Sequence, residues 1–299
     1  MKYFLYSLFI FLFAISVANA QKPITLAEDS VKFGNRYFPG FWLTIPEVKP
    51  ETVKAGWIKA IEKGTKSKVT TDKNEMSIFG AIIADITKSS VNIMSKTVDQ
   101  DSITMLFVSV ETTRDNFVGS SSNEYAKLNK YLKKFAKDQY VISTKNQLAA
   151  EDGILRNLEK DMKTTRKRKE KFEKSIQSSK VRITEQNDKI AAKNKELEVL
   201  EIRINNSSTI LSTIVDDDAK KAKKSDLKDL QKKKKSLLKD INSADNAISK
   251  ANTSIQDEQA EIDSNMVKQG ELGDKISQQK LVVAKYKQKL KTIEAYKGE

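Results

Sequence analysis

Neither cysteine nor histidine occurs among the 299 residues of this chain. Without cysteine there is no disulfide framework and no thiol nucleophile, so the fold must rest on burial and helix packing. Without histidine the usual hydrolytic triad cannot be assembled. Structural zinc sites built from Cys and His fall with the same two absences. Phosphate-binding fingerprints are missing as well: Gly64-Thr65-Lys66-Ser67 lacks the upstream glycine of a P-loop. Asp216-Asp217-Asp218 lacks the spaced ligands and the glycine of an EF-hand loop and reads as a solvated turn. Asp99 and Asp101 lie close together, but Asp in a tight hairpin turn is far commoner than a cation site. These absences predict a non-enzyme with no cofactor, no metal and no catalytic residue.

One long apolar run is present, at the start of the chain. Met1-Lys2 is a short positive segment, Tyr3 to Val17 is rich in Phe, Leu and Ile, and Ala18-Asn19-Ala20 is an A-x-A site. This pattern predicts a secretory signal peptide over residues 1–20, with Gln21 beginning the mature chain. It places the protein in the periplasm, with the extracellular space as the alternative, and no transmembrane span is expected after signal cleavage.

Charge is abundant and unbalanced. Lys and Arg number 54 against 40 Asp and Glu, a net charge of +14. The excess concentrates in residues 141–299, where 35 basic residues face 26 acidic ones. A basic surface attracts polyanions without choosing among them, and long solvated helices are Lys-rich in any case.

Residues 141–299 carry a heptad pattern in two phases. The first runs Val141, Leu148, Leu155, Met162, Lys169, Ile176, Ile183, Ile190, Leu197, Ile204, Leu211, and from Leu155 on its companion three residues later runs Leu158, Thr165, Phe172, Ser179, Gln186, Lys193, Leu200, Ser207, Ile214. The second phase runs Leu227, Lys234, Ile241, Ile248, Ile255, Ile262, Gln269, Ile276, Val283, Leu290, with a companion from Leu230 to Ile293. Alternating 3–4 spacing puts each pair of series on one stripe of a helix, the seam of a coiled coil. The expected architecture is an antiparallel hairpin: arm 1 over residues 145–214, a turn over 215–225, and arm 2 over 226–297. Ser225 is the expected cap of the second arm. Each arm of about 70 residues would span about 100 Å. An even fold near residue 220 sets Leu200 beside Ile241 and Leu155 beside Tyr286.

Residues 21–140 form a separate small domain in this reading. Residues 21–36 look like a polar lead-in. Phe41, Leu43 and Ile45 alternate with Trp42 and Thr44, as a strand does. Pro50 suits a first helical position, Val53, Trp57, Ile58 and Ile61 make one helical face, and Gly64 ends it. Strand-like runs follow at Lys68–Thr71, Met76–Ile86, Val91–Val98 and Ile103–Glu111, with Met76–Ile86 also readable as a short helix or loop. Ser121 and Glu124 have capping-box spacing before a second helix with Leu128, Tyr131, Leu132 and Phe135 inward. The fold class is therefore an α+β small domain, mainly an antiparallel sheet with two helices, followed by a long antiparallel α-helical coiled-coil hairpin.

The Trp57 helix, the Gly64–Lys68 turn, the Ser102–Val110 strand, the Phe117-Val118-Gly119-Ser120-Ser121 loop and the Tyr125–Phe135 helix resemble a group of exported proteins of Gram-negative bacteria. In that group a small α+β domain precedes a Lys/Glu-rich coiled coil. The resemblance implies the domain split and export; it implies no activity.

The leading functional expectation is a structural or interaction protein of the cell envelope, with the hairpin as spacer or partner-binding arm. Candidate contact residues are Lys220, Lys221, Lys223 and Lys224 at the hairpin end, with Lys232 and Lys233 following. Their partner would be a protein, a second copy through the coiled coil, or an anionic envelope component. The clusters lack the interleaved aromatics of single-strand binders, and export removes most nucleic-acid partners. Two other classes are weighed: a periplasmic holdase-like chaperone for unfolded clients, and a small-ligand or enzymatic role near Trp57 or Asp99.

Overall fold

A computed structural model describes residues 23–296; residues 1–20, where a signal peptide is expected, lie outside the described residues. Two compact units emerge among the described residues, one of residues 23–155 with 278–296 and one of residues 156–277.

The first unit is built on an antiparallel sheet of seven strands: β1 (Leu26–Phe33), β2 (Arg36–Pro46), β3 (Thr70–Asp72), β4 (Glu75–Ala81), β5 (Val91–Gln100), β6 (Ile103–Thr113) and β7 (Asn116–Phe117). Their order is β1-β2-β6-β5-β4-β3, with β7 beside β6. The connections are tight. Gly34-Asn35 joins β1 to β2 with Gly34 at φ +58°, as a two-residue hairpin of this hand requires. Asp101-Ser102 joins β5 to β6 with both residues at positive φ. A full edge strand thus lies where residues 21–36 read as a polar lead-in, and Met76–Ile86 is a strand only to Ala81.

Helix α1 (Pro50–Glu62) lies on one face of the sheet. Pro50 opens it after the extended Lys49, and Gly64, at φ +83°, follows its end. Its inward face is Val53, Trp57 and Ile61. Helix α2 (Tyr125–Thr213) adds Leu128, Leu132, Phe135 and Ala136 to the same core. From the sheet come Phe41, Leu43, Ile45, Met76, Ile78, Ile93, Leu106, Val108 and Val110. No capping box forms at α2: the amide of Gly119 donates to Ser122 Oγ at 2.9 Å, and Tyr125 N–H to the Ser122 carbonyl at 3.1 Å.

Helix α3 (Asp217–Ala295) brings its last turns into this unit. Lys137 Nζ donates to the carbonyls of Glu294 and Tyr296, each at 2.7 Å. A cation on the terminal carbonyls of a helix satisfies acceptors that have no intrahelical partner and suits the dipole.

In the second unit, residues 156–213 of α2 pack antiparallel against residues 217–277 of α3. Every position of the 3–4 series from Leu158 to Ile214 and from Leu227 to Ile276 is buried or half-buried, and the positions between are mostly exposed. The seam is legible because burial follows a strict spacing rather than a uniformly apolar composition.

Turn and register differ from the even-fold expectation. Helix α2 ends at Thr213 and α3 begins at Asp217, so the break is Ile214-Val215-Asp216 rather than 215–225. Asp216 is the reason. Its Oδ1 accepts the amide of Ala219 at 2.7 Å and its carbonyl accepts the amide of Lys220 at 2.9 Å. It therefore caps α3 well before Ser225, which lies inside the helix. Ion pairs across the hairpin read out the resulting register. Glu196 meets Lys233 at 3.1 Å, Glu201 meets Lys234 at 2.7 Å, and Lys193 meets Asp240 at 2.7 Å. Leu200 thus faces the turn around Lys234, about one heptad short of Ile241. In the first unit Gln279 Nε2 donates to Glu151 Oε2 at 2.6 Å, where the even fold would have brought Leu290.

Candidate functional site

The six candidate lysines all fall on α3. Lys220, Lys221, Lys223 and Lys224 occupy its first turns, and Lys232 and Lys233 follow two turns later. Three are paired: Lys221 with Asp218 at 3.6 Å, Lys232 with Asp229 at 3.1 Å, and Lys233 with Glu196 at 3.1 Å. Lys233 pairs across the hairpin, to Glu196 on α2. Among the described residues, Lys220, Lys223 and Lys224 have no ion pair. Their spacing of three and four places them on one face of the helix. Lysines here sit at the positive end of the helix dipole, where cations are disfavoured. Asp217 and Asp218 in the first turn offset part of that cost.

Polar side chains in the seam find partners both within their own helix and across the hairpin. Thr165 Oγ1 donates to the Asp161 carbonyl at 2.8 Å, and Asn265 Nδ2 to the Glu261 carbonyl at 2.8 Å; both residues are buried. Ser175 Oγ crosses to Glu258 Oε1 at 2.6 Å, while Glu258 Oε2 and Gln269 Nε2 are buried without a partner.

Sequence reasoning missed a second constellation. Glu47 takes φ +55°, an αL conformation that costs a non-glycine residue strain. Its amide donates to the Ser102 carbonyl at 2.9 Å, and Ser143 Oγ donates to the Glu47 carbonyl at 2.8 Å. Its carboxylate accepts from Tyr140 OH at 3.2 Å and from Lys289 Nζ. Lys289 also lies over the rings of Tyr140 and Tyr286, at 5.3 and 5.6 Å from their centroids. Burial, then the Glu47 charge and hydrogen bond, pushes the Tyr140 phenol up. Burial also raises Tyr286, followed by the charges of Glu151 and Glu47. These contacts tie Lys289 to Glu47 and Tyr140, so the cluster forms a clasp on the end of α3. Its one sequence cue was Glu47 between Pro46 and Val48, which names no partner.

The residues on which a ligand role would rest are placed otherwise. Trp57 is fully buried, its Nε1 donates to Ser95 Oγ at 2.9 Å, and its ring meets Phe135 edge-on at 5.0 Å. Asp99 and Asp101 are exposed at the β5–β6 turn. Among the described residues no group of three or more carboxylates could hold a metal ion.

The sheet face away from α1 has its own character. Strand alternation puts Trp42, Met94, Met105 and Phe107 there, with Phe33 and Phe38 from the first hairpin. Phe107 is buried beneath Trp42 and Phe33, with ring centroids 5.3 and 6.0 Å away. Trp42 Nε1 donates to Asp29 Oδ2 at 3.1 Å. Val98 is 37 % exposed and Phe79, at the β4 irregularity, 63 %. An antiparallel sheet with one solvated face would ordinarily show polar residues there.

Fold and site define a class: an antiparallel-sheet domain followed in sequence by a helical hairpin with a lysine-rich end. No family model matches the chain, and no curated protein matches it in sequence. Among the described residues no helix is long and apolar enough to cross a membrane.

Proposed function

We propose that this is a non-enzymatic interaction protein of the bacterial cell envelope, whose hairpin binds an anionic partner through Lys220, Lys223 and Lys224. One observation carries the reading. Three lysines share a helix face at the end of the dipole that disfavours them, and none is paired within the described chain. Stability alone would favour acidic or neutral residues there. The expected export signal and the resemblance to exported coiled-coil proteins support the location.

A photo-crosslinking residue at position 220 or 224, carried by the full chain in intact cells, tests it. The expected result is a discrete crosslinked product that disappears when the other two tip lysines become serine. Capture of nothing at either position, with cellular function intact in the triple Lys→Ser variant, would remove the reading.

A holdase-like role is the second reading, and the uncovered apolar sheet face favours it. Unfolded chains are bound by such faces through burial of exposed apolar groups. At stoichiometric excess the protein should suppress aggregation of an unfolded outer-membrane protein, and Trp42→Ala should weaken that effect. Unchanged aggregation in the presence of the wild-type chain would eliminate this reading.

A further inference from the structure

Strand β1 is an edge of the sheet and has β2 as its one neighbour. The amide of Thr44 donates to the carbonyl of Thr25 at 3.0 Å, and the β1–β2 register continues that pairing to Phe33 opposite Arg36. Directly opposed residues of an antiparallel pair alternate between bonded and unbonded. Odd-numbered residues of β1 therefore bond to β2, while Leu26, Glu28, Ser30 and Lys32 turn their main-chain groups away from it. Closure of the hairpin by the two-residue Gly34-Asn35 loop fits the same parity. Eight residues long, β1 contains no proline and its pairing has no bulge, two of the devices that usually blunt an edge.

Its side chains are also open. Glu28, Ser30 and Lys32 are exposed, and among the described residues neither Glu28 nor Lys32 has an ion pair. Glu28 Oε1 accepts the amide of Ser120 at 3.2 Å, which leaves Oε2 free to accept more. The outward amide of Ser30 is held by the side chain beside it, Asp29 Oδ1, at 2.8 Å.

We propose that β1 is a self-association edge, pairing antiparallel with β1 of a second copy across a two-fold axis at Ser30. Main-chain parity requires even-numbered residues to face even-numbered ones. Near the strand centre this leaves axes at Asp29, Ser30 or Val31. With Asp29 on the axis, two like carboxylates oppose each other. With Val31 on the axis, Lys32 faces Ser30 and Asp29 faces Phe33. With Ser30 on the axis, Glu28 faces Lys32 twice, once on each side, and Asp29 faces Val31. Opposite charges directly across a strand pair are favourable and like charges are not, so charge selects the Ser30 axis. The contact is isologous, as a two-fold dimer requires, and gains main-chain bonds by strand addition. Ser30 exchanges its Asp29 acceptor for a carbonyl of the partner copy. This inference stands apart from the role of the tip lysines.

The full chain should show a concentration-dependent dimer by light scattering. Lys32→Glu should weaken that dimer about tenfold or more, since it replaces two attractive pairs with two repulsive ones. Glu28→Lys with Lys32→Glu should restore it. Because the chain has no other cysteine, Ser30→Cys should form a disulfide-linked dimer under mild oxidation, its Cα atoms lying about 5.5 Å apart. Ala27→Cys, displaced from its own copy by six residues, should not. A monomer at every concentration overturns the proposal. So does a dimer indifferent to Lys32→Glu, a double variant that stays dissociated, or equal crosslinking at positions 27 and 30. None of these results bears on crosslinking at the tip.

Discussion

Trp57→Ala is expected to destabilise the sheet unit by about 3–5 kcal/mol. The side chain has no exposed surface and meets Phe135 and Tyr131 with ring centroids 5.0 and 6.2 Å away. Removing it opens a cavity between α1 and the sheet and strips Ser95 of its Nε1–H donor. Ser95 is buried and retains only a 3.4 Å contact to the Met76 carbonyl. Trp57→Phe should lose less, because a ring remains, but the hydroxyl is still left without its donor. Chemical denaturation of the full chain measures both. The second tryptophan supplies the comparison: Trp42 stands half-buried on the opposite face, and its alanine variant should cost clearly less. Equal losses at the two positions would contradict the assignment of Trp57 to the core and Trp42 to the open face.

Breaking the Glu47 clasp should have the next largest effect. Lys289→Met is expected to cost about 1–2 kcal/mol. The range is kept modest because the two charged side chains are 25 % and 30 % exposed and therefore partly screened by solvent. What remains is a partly buried carboxylate held in a strained αL backbone. Hydrogen exchange should rise at the end of α3, around residues 283–293, more than in the sheet. An unchanged exchange pattern would show that Val283 and Ile293, both buried, hold the helix end alone. The clasp also has a pH signature. Tyr140 is raised by burial and by Glu47, and Tyr131 is pushed up to about 12 by burial and then by Asp85. Below about pH 10 both phenols are protonated whether the chain is folded or not, and their contribution is complete. Above that, the unfolded chain releases protons that the folded chain retains, so stability falls as pH rises toward the folded values. Tyr140→Phe should flatten this alkaline loss while leaving stability at lower pH less affected. An alkaline profile identical to wild type would remove Tyr140 from the linkage.

Different kinds of signal survive in a sequence to different degrees. The seams could be read residue by residue, from Leu155 to Ile214 and from Leu227 to Ile293, although Lys169, Gln186, Lys193 and Lys234 lie on them. Spacing alone marks a helical stripe, and a long side chain can bury its stem there while its charge reaches water. Strands β5 and β6 and helix α1 were equally legible, because each buries a regular set of side chains. Strand β1 was not. Its outer residues are polar and exposed, and it is held by main-chain bonds to β2, which leave no mark on side-chain pattern. An edge strand of this kind can be recognised only once its neighbour is in place.

The hairpin shows the same division. Heptad spacing determined that two helices would pair, and the failure of the phase after Ile214 determined that the chain would turn near there. The length of the turn depended on one side chain, since Asp216 closes onto the amide of Ala219 and starts α3 early. That choice moved the partner of Leu200 by about a heptad and assigned Lys233 to an ion pair with Glu196. It left Lys220, Lys223 and Lys224 on one face in the first turns of a helix. Composition and spacing thus settled the helices and the central strands with their inward faces, because burial imposes a period on the sequence. Register, the clasp on Glu47 and the open edge of β1 were decided by tertiary structure, because each depends on which distant groups come within hydrogen-bonding distance.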